Sequence, residues 1–219
     1  MISCVLGARD IFLAGTGSFA LEIADWAQAA GWRVAGLIEL VDPARVGSTV
    51  DGLLVVDPSA AIAGEGCVAV ALGGDRREHW SRLEPHGWSP ASVVHPLAHL
   101  SGSARLEPGC VLGPGVAVGA HTVLGPHTLV SRGALIGHHS VLGAYVTVNP
   151  GANIAGNVVI GERAFIGMGA IVVNNASVGE GATVAAGSLV LKDVTAGVRV
   201  QGVPAREYRD GDGNGAGRA

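Results

Sequence analysis

Four histidines crowd one stretch of the chain, His121, His127, His138 and His139, the last two adjacent in IGHHSV. Imidazole changes charge closest to neutral pH. A histidine held outward can therefore take a proton from an amine or hydroxyl nucleophile, or bind a metal through a ring nitrogen. A second chemistry is signalled near the start. GTGSFA sets Gly15, Gly17 and Ala20 in the G-x-G-x-x-A spacing, which lets backbone approach a phosphate where a helix begins. Glu39 follows about twenty residues on, where a ribose-binding acid would sit. Arg76 is of the type that pairs with a diphosphate. The same glycines also suit a tight strand-to-helix turn that needs them only for packing, and both readings stand at this level. On the phosphate reading, a β-branched residue at Gly17 would block the approach and resist a positive φ.

These residues need elements to hold them. IFLAG reads as a short apolar strand, and Phe19, Ile23, Trp26, Ala27 and Ala30 share one face of a helix that Gly31 stops. Val34–Leu40 is a second strand. Val68–Leu72 is a third, ending in Gly73-Gly74, and 76–86 is helical in pattern. The alternation predicts a small βαβ unit with a parallel sheet over residues 1–92, too short for a full dinucleotide fold.

From Val94 to Val190 an aliphatic residue falls on every sixth position without a break. Such a period means a solenoid. Four residues after each aliphatic comes a small or β-branched side chain, such as Ala104, Cys110, Thr122, Ala134 or Ser140, so both slots point inward. Pro108-Gly109, Pro114-Gly115 and Pro150-Gly151 occupy the slots between, with proline pre-setting φ and glycine supplying φ > 0. Each hexad is one strand and one corner, and three hexads close a triangular coil stacked at about 4.8 Å. In this register His121, His127 and His139 take the glycine slot, as solvent-facing turn residues with positive φ. His138 takes the proline slot, projecting outward. Gly156 lies one coil further along the same corner. His121 and His139 also stack on that corner, which permits a metal pair.

The 219 residues carry a net charge of −4, which argues against a nucleic-acid surface. Glycine is abundant but sits at periodic corners. Three cysteines without paired spacing indicate a reducing compartment, and no apolar run or leader pattern suggests a membrane. A cytoplasmic protein is expected, with a disordered tail over 209–219 after a solenoid over 93–208.

The hexads, the GTGSFA loop and the closing VQGVPAREY resemble the hexapeptide-repeat acyltransferases. Among them the chain looks most like the sialic-acid O-acetyltransferase and bacterial UDP-amino-sugar N-acetyltransferase family, from Ile11 to Tyr208. The resemblance implies a mainly β fold, a left-handed parallel β-helix preceded by a small Rossmann-like α/β domain. It implies a homotrimer that uses acetyl-CoA as co-substrate, with no permanently bound cofactor and no metal, on a sugar or nucleotide-sugar acceptor. By position, His138 would be the general base, beside His139, and the Gly156 N–H would face the acyl carbonyl. Gly15, Gly17, Ser18, Phe19, Glu39, Gly73 and Arg76 would contact the acceptor. Thr147, Met168 and Ala186 would line a donor groove between chains, and Lys192, with Arg199 and Arg206, would meet the CoA phosphates. The chain departs from the family twice. A glycine-histidine pair in the first loop is Ser18-Phe19 here, and the acidic residue after the catalytic histidine is His139. Three functions follow: an acetyl-CoA-dependent N- or O-acetyltransferase by direct attack on the thioester, a catalytically silent ligand-binding relative, and a metal-dependent hydratase of γ-carbonic-anhydrase type.

Overall fold

The computed structural model describes residues 10–60, 66–73 and 75–208; the tail expected to be disordered, 209–219, lies outside the described residues. The first unit runs β1 (Asp10–Ala14), α1 (Ser18–Ala29), β2 (Arg33–Ile38), β3 (Thr49–Val50), β4 (Leu53–Val56), β5 (Cys67–Val70), α2 (Arg76–Ser81) and β6 (Ser89–Pro90). The sheet order is β3-β4-β2-β1-β5-β6, every neighbouring pair parallel except β3–β4. The inner strands are continuous apolar runs because both sheet faces are covered, and Ile11, Leu13, Leu37, Ile38 and Val68 are buried. α1 buries Ala20, Ile23, Ala24, Trp26 and Ala27, and Gly31 closes it in the left-handed region at φ 84°.

Two expectations change. The helix at Arg76 ends at Ser81 rather than reaching residue 86, and Glu84–His86 forms a separate 3₁₀ turn. Pro85 has no N–H with which to continue the helix. The β3–β4 hairpin is additional: Asp51 and Gly52 both take positive φ, 49° and 75°, in the two-residue turn. Asp-Gly between TV and LLVV was the signal for it.

The second unit is a solenoid of two-residue parallel strands on three faces, starting with Val93–Val94 on the first, His99–Leu100 on the second and Arg105–Leu106 on the third. Each strand pairs with the one three hexads on, as Leu112 with Val130 and Ile136 with Ile154. The hexad aliphatics from Leu112 to Val190 are buried in one continuous core with the small residues between them. His121, His127 and His139 take φ 58°, 55° and 56°, as the glycine slot requires.

The first unit covers the first face. Val93, Val111 and Leu129, outward on that face, share a core with α1 and β1. Trp26 reaches so near Gly113 that a Cβ there would lie 2.8 Å from its ring, and Arg132 pairs with Glu22 at 2.6 Å. At the other edge of the face, the His127 ring lies 4.5 Å from Trp80 and stacks on Tyr145 at 5.0 Å. His127 is therefore buried, not a solvent-facing turn residue. Its Nδ1 has no hydrogen-bond partner among the described residues.

Burial first, and then the Arg76 charge, push the His127 pKa down from 6.5 to about 4. The unfolded chain thus takes up a proton that the folded chain refuses, so this site subtracts stability progressively as pH falls from about 6.5 to about 4 and subtracts nothing above that window. His127→Asn, which keeps the positive φ, is expected to flatten the pH dependence of unfolding in that window, measured by urea denaturation at several pH values. An unchanged slope would contradict a buried neutral imidazole.

Candidate active site

The corner between the second and third faces carries the outward histidines. Coil-to-coil hydrogen bonds hold it in register: His139 N to Ala120 O at 2.8 Å, Asn157 N to His138 O at 2.8 Å and Asn175 N to Gly156 O at 3.2 Å. His138 is exposed, and its imidazole packs close against the bare Cα of Gly156. A Cβ at Gly156 would sit 2.7 Å from Cε1 and 2.8 Å from Nε2. The Gly156 N–H donates to no backbone carbonyl among the described residues. His138 Nδ1 is 3.1 Å from His139 Nδ1, and the His139 ring lies 4.8 Å from that of His121. His139 is thus more than turn filler. Among the described residues, no three His, Cys, Asp or Glu side chains are placed to hold a metal ion together.

The residues expected to line the donor groove divide. Met168 and Ala186 share the corner between the first and second faces, Gly187 N donating to Met168 O at 2.8 Å, and Met168 is 59% exposed. Thr147 is on the adjoining first face, where its hydroxyl accepts from Arg76 at 2.7 Å. Lys192 stands at the end of the His138 corner, so one chain does not bring it beside Met168. Arg199 lies against the Tyr208 ring.

On the acceptor side, the chain leaves β1 for β2 and later returns to β5 on the other flank of β1. The crevice at the carboxyl ends of β1 and β5 is therefore the switch point where parallel sheets bind ligands. Gly15, at φ 134°, sits there with its Cα so near that a Cβ would be 2.8 Å from Ala71 O. Gly17 is different from expectation: φ is −90°, and a Cβ would meet nothing within 4 Å. The steric demand assigned to Gly17 belongs to Gly15. Gly17 also leaves the start of α1 without a side-chain cap; among the described residues the Ser18 and Phe19 N–H groups donate to no backbone carbonyl, and Ser18 and Gly73 are both exposed.

Three acceptor assignments are corrected. Phe19 is partly buried and packs edge-on against the core residue Trp26, with ring centres 6.4 Å apart. Glu39 is buried and accepts from Thr16 Oγ1 at 2.5 Å, Val41 N at 2.7 Å and Asp42 N at 3.0 Å. Burial alone would raise its pKa, but these bonds and Arg45 outweigh burial and hold it below the ordinary value. Its carboxylate ties the loop after β1 to the loop after β2 and is not presented to a ribose. Arg76 is 3% exposed and donates to His127 O, Thr147 Oγ1, Tyr145 O and Val146 O. Burial lowers its pKa to about 10. The guanidinium anchors α2 to solenoid carbonyls instead of meeting a diphosphate. No local signal marks such an anchor, since its partners lie some fifty to seventy residues away.

The profile described as bacterial transferase hexapeptide (six repeats) matches residues 157–192. A variant of perosamine N-acetyltransferase from Caulobacter crescentus, in complex with CoA and GDP-perosamine, is 30% identical at a TM-score of 0.85, over 94% of this chain and 100% of that one. The chain belongs to the hexapeptide-repeat sugar acetyltransferases. Within this family, the acetyltransferase domain of PglB from Neisseria gonorrhoeae, in complex with acetyl coenzyme A, is 30% identical at a TM-score of 0.83 over 92% and 100%. WeeI from Acinetobacter baumannii is 27% identical at 0.83 over 91% and 100%. No curated protein sequence matches the chain.

Gly156 has an ordinary φ, so Ala is tolerated by the backbone there, and the atoms nearest the added methyl are those of the His138 ring. Gly156→Ala is expected to leave thermal unfolding nearly unchanged and to lower acetyl transfer roughly 10- to 100-fold by displacing the imidazole. Undiminished turnover would show that the ring position is not needed.

Proposed function

We propose that the protein transfers the acetyl group of acetyl-CoA to the amine of a nucleotide-linked amino sugar, as a homotrimer whose sites lie between chains. The observation that carries this reading is the exposed His138 imidazole seated on Gly156, in a fold shared at 30% identity with an N-acetyltransferase that holds CoA and GDP-perosamine. Kinship also supports a left hand for the solenoid and a Rossmann-like acceptor role for residues 1–92, with the solenoid domain running over 93–208.

The thioester is already activated, so no covalent enzyme intermediate is required. The acceptor amine attacks the acetyl carbonyl and a C–N bond forms while His138 Nε2 takes the amine's proton. The carbonyl oxygen becomes an oxyanion, and the Gly156 N–H, which donates to no backbone carbonyl among the described residues, is the donor to meet it. Collapse breaks the C–S bond, and the thiolate leaves with the proton that His138 held. Histidine suits this exchange at neutral pH.

The intersubunit arrangement follows from where the parts lie. The first unit occupies the first face, whereas His138 stands on the corner opposite that face. Leu135 and Ile171 on the second face, and Val141 and Val159 on the third, are large apolar residues left exposed on the two flanks of the His138 corner. A second copy laid on them covers apolar surface and sets its own first face, with Thr147, Met168 and Ala186 alongside, near His138 and Lys192 of its neighbour. No helix among the described residues is long and apolar enough to cross a membrane, and the cytoplasmic setting is proposed from the nucleotide-sugar substrate alone.

His138→Ala is expected to reduce release of CoA thiol by about 10²–10⁴-fold with an amino-sugar nucleotide, while acetyl-CoA binding by calorimetry stays intact. The hydroxyl analogue of the same sugar nucleotide should give no thiol above background. Turnover of the hydroxyl analogue in preference to the amine would make the enzyme an O-acetyltransferase, and thiol release unaffected by His138→Ala would remove the base.

A further inference from the structure

We propose that His139 is the positioning residue for the catalytic imidazole: as a neutral acceptor at Nδ1, it holds His138 in the Nδ1–H tautomer and leaves His138 Nε2 free. The inference rests on the acetyl-transfer reading of the site and adds the group that serves it.

The contact between the two Nδ1 atoms, at 3.1 Å, allows one proton between them. If His138 donates, its Nε2 carries a lone pair and can act as a base. If His139 donates, the His138 proton must sit on Nε2 and the ring has no basic edge to offer. Base catalysis therefore selects the first arrangement, with the His139 proton on its own Nε2. The backbone makes the contact possible. His139 takes φ 56°, and its side chain meets the preceding imidazole at 84° with ring centres 5.2 Å apart. From the previous coil, His121 also packs on His139 at 4.8 Å, so the His139 ring has one neighbour on its own turn and one from the coil before.

No carboxylate competes for the role. Among the described residues, none of His121, His138 and His139 forms an ion pair. The titratable or charged groups facing His139 are His138 on its own turn and, from the preceding coil, His121, beside which Arg105 lines the same groove. From the following coil, Gly156 and Asn157 bring no charge. A carboxylate would stabilise the imidazolium that forms as His138 takes its proton; a neutral imidazole orients the ring without that help. A carboxylate at residue 139 should thus make a better catalyst with a more basic His138, an outcome that a merely structural turn residue does not produce.

The test compares the full-length wild type with His139→Gly and His139→Asp, both compatible with a positive φ. Thiol release from acetyl-CoA with an amino-sugar nucleotide gives the kinetics. Nitrogen NMR of histidine-labelled protein, assigned with His138→Ala, gives the tautomer. His139→Gly is expected to lower kcat at least about tenfold, with the acetyl-CoA KM unchanged, and to return His138 to the Nε2–H form. His139→Asp is expected to restore kcat to the wild-type level or above and to move the acid limb of kcat/KM upward by about one pH unit. Wild-type His138 found as Nε2–H, or a His139→Gly enzyme with unchanged kcat, would overturn the proposal. An Nδ1–H His138 that reverts in His139→Gly, in a protein that releases no thiol with any such acceptor, would uphold the contact while sinking the acetyl-transfer reading.

Discussion

Each turn of the solenoid is hydrogen-bonded to the turn one coil away, and this stacking constrains everything else. A corner residue cannot move without moving the residue three hexads on. His138 O accepts from Asn157 N, and Gly156 O accepts from Asn175 N, so the imidazole, its bare glycine seat and the corner after it form one rigid column. The inward aliphatics from Leu112 to Val190 close the core behind it. In its proposed role of general base, His138 on such a column needs no lid or hinge to be aimed. Preorganisation comes from the repeat itself.

The same rigidity separates the parts of the site. Arg76 spends its donors on His127, Tyr145, Val146 and Thr147, while Trp26 presses on Gly113. These two clamps hold the first unit to one face and fix the direction of the crevice between β1 and β5. A triangular rod cannot bend its opposite corner toward that crevice. On the proposed reading association completes the site, and the exposed aliphatics beside His138 offer apolar area for it.

Periodic features were the most legible in the sequence. A six-residue period has one solution, and each aliphatic from Val94 to Val190 falls on a strand end as the register requires. The outward setting of His138 and the positive φ of His121, His127 and His139 follow from the same count. Contacts between remote segments were not legible. Nothing near Arg76 announces that its partners are solenoid carbonyls. Glu39 sits where a ribose acid would, yet Thr16 and two backbone N–H groups already fill its carboxylate. Gly17 was given the steric demand that Gly15 bears, because the motif spacing names both glycines and only the approach of Ala71 distinguishes them. The Nδ1 contact between His138 and His139 was hidden for a related reason, since adjacency alone does not say which way a left-handed residue turns its side chain.

The claim that the base of one chain serves the acceptor crevice of another is tested most directly by mixing inactive subunits. His138→Ala removes the base. Gly17→Glu, at an ordinary φ with open space around its Cβ, sets a carboxylate at the start of α1 without disturbing the fold. Each is inactive alone on this account, but trimers co-assembled from the two contain sites that draw the base from one chain and the crevice from the other. Thiol release should reappear on mixing, and should not reappear when a chain carrying both changes is mixed with either single variant. Mixed trimers verified by native mass spectrometry that stay as inactive as their components would contradict the account.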